Sequence, residues 1–118
     1  MGLNENNSEL NAVLALHKAL DAKFAKDIVL MELTGRSLIA DYFIIATGGS
    51  APQLAALTQT AEEVLKNHGL HLHHIEGLST AKWVLLDFGS VIVHLFDKES
   101  REYYNLERIW GDARVISP

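Results

Sequence analysis

The stretch Trp83 to Phe96, WVLLDFGSVIVHLF, constrains the fold more than any other part of the chain. It reads as two apolar strands around a tight turn. Lys82 to Leu86 supplies the first strand, Val91 to Phe96 the second, and Asp87-Phe88-Gly89-Ser90 joins them. Asp, Gly and Ser are turn formers, and Gly tolerates the positive φ that a hairpin turn often demands. Alternation puts Val91, Val93 and Leu95 on one face and Ile92, His94 and Phe96 on the other. Apolar residues on both faces need cover on both. The hairpin therefore belongs near the middle of a sheet, with helices packed against it.

The rest of the chain supplies those partners. Ser8 is placed to cap a helix running to about Lys26, with Leu10, Val13, Leu14, His17, Leu20 and Phe24 as its apolar stripe. Asp27 to Leu33 reads as a strand with Val29, Met31 and Leu33 on one side, and Thr34-Gly35-Arg36-Ser37 breaks it. Asp41 to Thr47 is a second strand, apolar on both faces. After Gly48-Gly49, Ser50 and Gln53 have capping-box spacing and Pro52 suits a first turn. The helix that follows carries Leu54, Leu57, Ala61, Val64, Leu65 and His68 as its stripe, and Gly69 stops it. Leu70 to Glu76 reads as a short strand, Gly77 to Ala81 as a loop, and Asp97 to Glu102 as a charged turn. Tyr103 to Trp110 follows, then a tail from Gly111 to Pro118. Five strands and two long helices predict a single α/β domain built on a mixed sheet. The expected limits are a polar lead-in over residues 1–8, the domain over 9–113 and a tail over 114–118.

A chain of 118 residues is one domain's worth and buries enough surface to fold unaided. It has no cysteine, so disulfides and thiolate metal sites are excluded. No apolar run is long enough to span a bilayer, and MGLNENNSEL lacks the blocks of a signal peptide. Gly2 opens a myristoylation pattern that Asn6 breaks. A cytoplasmic location is the expectation. The formal charge is −5, with no Lys/Arg cluster to relieve it. Proteins that grip phosphate backbones usually carry such a cluster, so direct nucleic-acid readout is disfavoured. A basic protein surface is a more natural partner, although solubility alone also accounts for mild acidity.

Three groups invite an enzymatic reading, and each has a plainer one. Gly48-Gly49-Ser50 between a strand and a helix could bind an anion. It lacks the Lys of a Walker loop and the third Gly of a dinucleotide fingerprint. A nucleotidyltransferase would need two carboxylates one residue apart on a nearby strand to hold magnesium. Only Asp87 is available, and Gly89 stands where its partner belongs. His68, His71, His73 and His74 near Glu76 could hold zinc if His94 joined them, but histidines on an edge strand are more often surface residues. Asp87-Phe88-Gly89 is a turn in a chain too short for a kinase. No nucleophile elbow or thiol is present, so no catalytic residue, cofactor or metal is assigned.

The segment Arg101 to Ala113, REYYNLERIWGDA, is more unusual. Trp, Tyr and Arg dominate binding energy at interfaces. Leu106, Ile109 and Trp110 also have helical spacing, so core and interface readings both stand. Trp83 could join such a patch.

Together, DYFIIATGGS, the Glu76-Gly77 pair, AKWVLLDFGSVIVHLF and REYYNLERIWGDA resemble the ribosomal silencing factor family, RsfS, from about Leu14 to Ala113. The block from Trp83 to Trp110 is the most diagnostic. The resemblance implies a fold similar to nucleotidyltransferases without their catalytic carboxylates. It also implies a non-enzymatic role: binding the large ribosomal subunit through ribosomal protein L fourteen, blocking small-subunit joining and repressing translation in starved or stationary cells. Mitochondrial and plastid relatives imply a role in large-subunit assembly instead. A homodimer off the ribosome is a further expectation. The docking surface expected beside this resemblance comprises Lys82, Trp83, Tyr104, Leu106, Glu107 and Trp110, with Asp87 as a further candidate. Trp83, Tyr104 and Leu106 would bury apolar area, and Glu107 would pair with a basic residue of the partner.

Overall fold

The computed structural model describes residues 8–118 apart from Arg36, Leu38 and Asp112. The readings made for the lead-in, including Gly2 and Asn6, for Arg36 in the break and for Asp112 in the tail lie outside the described residues. The elements run α1 (Ser8–Ala22), β1 (Lys26–Glu32), β2 (Tyr42–Thr47), α2 (Ala51–Asn67), β3 (His74–Glu76), β4 (Trp83–Asp87), β5 (Val91–Phe96), α3 (Lys98–Tyr104), α4 (Leu106–Ile109) and β6 (Arg114–Ile116). The strands form one mixed sheet in the order β3-β4-β5-β2-β1-β6. β2 and β5 are parallel, from Tyr42 opposite Val91 to Thr47 opposite Phe96. Every other neighbouring pair is antiparallel.

The hairpin forms as expected. Asp87 Oδ1 accepts the Gly89 N–H at 2.8 Å, and Gly89 has φ of 84°. β5 is buried along its whole length, as is β2. Val91, Val93 and Leu95 face one core with Tyr42, Ile44, Ala46 and Leu30, and α1 and α2 close it with Val13, Leu16, Leu20, Leu54, Leu57 and Leu65. Ile92 and Phe96 face a second, smaller core with Met31, Leu33, Phe43 and Ile45. Among the described residues the helical cover of that face comes from the short α3–α4 segment, chiefly through Leu106 with Trp110 beside it, and Ala40 and Ala113 add to its edge.

Several boundaries differ from the sequence reading. α1 stops at Ala22, not near Lys26, and Phe24 leaves the stripe with φ of 66° and 80% exposure. The chain has to reverse there to enter β1, so Phe24 sits in the turn. β3 holds only His74–Glu76, leaving His71 and His73 outside any strand. The expected charged turn at Asp97 is the start of α3: Asp97 Oδ1 accepts the Ser100 N–H at 2.8 Å. Residues 114–116 of the tail form a sixth strand against Leu30, Met31 and Glu32. Among the described residues no helix is long and apolar enough to cross a membrane.

Candidate functional site

The weakly covered face of the sheet is where exposed aromatic rings collect. β4 begins at Trp83, opposite Phe96 on β5. The loop before it needs a glycine: Gly77 has φ of +88°, and a Cβ there would lie 1.8 Å from the Trp83 carbonyl oxygen. α3 leaves the end of β5 and folds back, bringing Tyr104 to 4.6 Å from the Trp83 ring centroid. Trp83 rests on Phe96 at 5.0 Å, and Tyr103 meets Tyr104 edge-on at 5.0 Å. Tyr104 remains 45% exposed, Tyr103 80% and Ile109 66%. Soluble domains do not usually leave rings clustered in this way without a partner for them.

Two polar arrangements hold this patch. The first lies beneath Trp83. Its indole N–H donates to His94 Nδ1 at 3.1 Å. His94 is 4% exposed, stands edge-on to Phe43 at 4.6 Å, and its Nε2 has no partner. Desolvation holds the imidazole neutral and pulls its pKa down to about 4. The second arrangement anchors α3 and α4. Arg101, whose side chain is only 10% exposed, donates through Nη1 to Thr47 Oγ1 at 2.8 Å and through Nη2 and Nε to Glu107 Oε2 at 2.7 and 3.1 Å. Partial burial pushes the Glu107 carboxyl up, but hydrogen bonds from Arg101 and its own backbone amide, with the guanidinium charge, leave it below its ordinary value. A three-way tie thus joins the end of β2 to both short helices.

Of the expected docking residues, Lys82, Trp83 and Tyr104 come together. Lys82 is exposed, and its carbonyl accepts the Asp97 N–H at 2.9 Å, fixing the entry to α3. Leu106 is 8% exposed and belongs to the core, so it has little area left for a partner. Trp110 packs edge-on against Phe43 at 5.9 Å and is partly buried. Glu107 is committed to Arg101 through one oxygen. Asp87 stands apart, at the other end of β4 from Trp83, ~13 Å along an extended strand. Tyr103 and Ile109, absent from the expected set, are the most exposed apolar residues of the segment. The pair of adjacent tyrosines was the available signal, but a helix of seven residues has too few turns to show which face is free.

The other candidates resolve into local structure. At the Gly-Gly-Ser turn, Gly49 N–H donates to Gln53 Oε1 and Gln53 N–H to Ser50 Oγ at 3.2 Å. Two of the backbone donors that could face an anion there, those of Gly49 and Gln53, are thus engaged within the chain. A cavity of about 470 Å³ beside them is lined by Lys26, Lys98 and Arg101 but also by Asp27 and Glu102. Asp87 lies at the opposite end of the sheet, since its partner is Ile92 while Thr47 pairs with Phe96. β4 separates β3 from β5, so His94 is no neighbour of His71 and His73. His74 instead pairs with Glu76 at 2.6 Å. Among the described residues no three His, Asp or Glu side chains gather to hold a metal.

Comparison with known proteins agrees with the resemblance. A family model described as "Ribosomal silencing factor during starvation" matches residues 5–118. The ribosomal silencing factor RsfS of Bacillus subtilis is 44% identical over 95 residues, covering 80% of each chain. The mouse protein named "Mitochondrial assembly of ribosomal large subunit protein 1" is 33% identical over 89 residues, which is 73% of this chain and 39% of that one. A crystal structure of a Chromobacterium violaceum protein superposes with a TM-score of 0.81 at 31% identity, covering 86% of this chain and 85% of the other.

Proposed function

The chain belongs to the ribosomal silencing factor family, and on that premise we propose that it represses translation by docking on the large ribosomal subunit and keeping the small subunit from joining. The partner on that particle is ribosomal protein L fourteen, and the mechanism is occupancy of a shared surface with no chemical step. The observation that carries this reading is the ring cluster of Trp83, Tyr103 and Tyr104 on the thinly covered face of the sheet. A charge of −5 suits a basic ribosomal protein better than bare RNA. Lys82 rims the cluster, Trp110 packs on Phe43 of the same face, and Glu107 acts chiefly by holding Arg101. Off the ribosome the chain forms a homodimer, in the cytoplasm.

The test is a gradient profile of subunit reassociation. Wild-type protein is expected to bind large subunits and reduce the yield of joined particles. Tyr104→Ala is expected to weaken large-subunit binding by ~30-fold, the loss of an anchor of about 2 kcal/mol, without unfolding the chain. Joined particles forming freely on large subunits saturated with the protein would refute the mechanism.

The name of the mouse relative favours a second reading, a large-subunit assembly factor. Deleting the gene separates the two. Accumulated large-subunit precursors in growing cells favour assembly, whereas normal particles with poor shut-down of translation in starvation favour silencing.

A further inference from the structure

The pairing of His94 with Trp83 is odd on energetic grounds. His94 lies in the middle of a strand otherwise made of Val, Ile, Leu and Phe, and its Nε2 has no partner. An indole N–H only donates, so His94 Nδ1 accepts and the ring proton sits on Nε2, facing no acceptor. Trp83 is only partly buried, so water could have satisfied its N–H without this cost. The imidazole therefore does something for Trp83 other than satisfy it.

We infer that His94 is a positioning residue that locks the Trp83 indole in the orientation the docking surface uses. The geometry is specific. His94 stands diagonally across the β4–β5 pair from Trp83, opposite Leu85. The bond at 3.1 Å draws the indole edge inward over β5. The ring then presents its body to Tyr104 at 4.6 Å and rests on Phe96 at 5.0 Å. His94 itself is wedged by Phe43 at 4.6 Å and parallel to Phe96, so it has little freedom to follow a moving partner. Without the acceptor, Trp83 keeps its apolar contacts but loses the one directional contact that selects between ring orientations.

This rests on the reading that Trp83 belongs to the docking surface, and the experiment separates the two. His94→Phe keeps a ring against Phe43 and removes the acceptor; His94→Asn restores an acceptor oxygen near the Nδ1 position. The first readout is the indole N–H resonance of Trp83 in the free protein, identified in a Trp110→Phe background. It is expected to shift and to exchange faster with solvent in His94→Phe, and to return towards the wild-type position in His94→Asn. The second is co-sedimentation with large subunits, expected to weaken roughly fivefold in His94→Phe, the scale of one hydrogen bond, and to recover in His94→Asn. An unmoved resonance, or a moved one with wild-type affinity, overturns the positioning role. If His94→Phe does not fold, rapid solvent exchange of the Trp83 indole proton in the wild type overturns it equally. Wild-type affinity in Trp83→Ala would instead sink the docking assignment, while the resonance data still report on the bond.

Discussion

At pH 7 His94 is neutral in the native protein, and so is most of the same residue in the unfolded chain. The two states part company below that. The unfolded side chain takes a proton near pH 6.5, while the buried ring declines one until about 4. Between those values the unfolded state binds more protons, so stability falls as pH falls, by at most about 1.4 kcal/mol per pH unit. Phe43, Trp83 and Phe96 surround the ring, and none of them can compensate the charge. Glu107 works in a lower window: its depressed value contributes stability above its unfolded pKa that is lost as pH drops through the folded one. Urea midpoints taken between pH 7 and 4 are expected to decline, and the part of the decline above pH 5 to flatten in His94→Phe. An identical decline in that variant would remove His94 as its source. Residues were unevenly legible in sequence. Trp83 and Tyr104 stood out by type, whereas Leu106 and Glu107 needed contacts to classify: one packs into the core and the other is tied to Arg101. Asp87 and Trp83 are close in sequence, yet an extended strand sets them at opposite ends of β4.

At the scale of elements, the hairpin and the two long helices follow from their periodicity, and the short pieces do not. α3 has seven residues, too few for a stripe to repeat, and its charged composition reads as a turn. What makes it a helix is Asp97 capping Ser100, with Asn105 at φ of 44° ending it and turning the chain into α4. Arg101 then ties it to Thr47. Replacing Asp97 by Ala is expected to cost about 1 kcal/mol, the usual loss of an N-cap. Because α3 carries both exposed tyrosines, the loss is expected to appear twice: as a lower urea midpoint and as a change in Trp83 emission when Tyr104 moves off it. A lowered midpoint with unchanged emission would mean that the rings are held by packing alone. LHLHHIE alternates like a strand, yet only His74–Glu76 pair in register with β4, His73 adding a single N–H bond to the Asp87 carbonyl.

Over the whole molecule, the two faces of the sheet are unequally dressed. α1 and α2 cover one face, and α3–α4 shield part of the other, which is where Trp83, Tyr103 and Tyr104 emerge. Strand order could not be read from sequence, because the parallel β2–β5 contact joins segments far apart in the chain. Nor could β6, a three-residue strand in what reads as a tail. Removing residues 114–118 is expected to expose the outer edge of β1 to other chains. The truncated protein should unfold at lower urea and self-associate with rising concentration in sedimentation velocity runs; a monomer as stable as the full chain would show that β6 is dispensable. The position of β5 has a further consequence. Before it is made, β1–β2 and β3–β4 are two separate fragments with greasy open flanks, and only β5 can bridge them. A chain still being synthesised cannot join those fragments until β5 has left the exit tunnel, which leaves their apolar flanks open during synthesis.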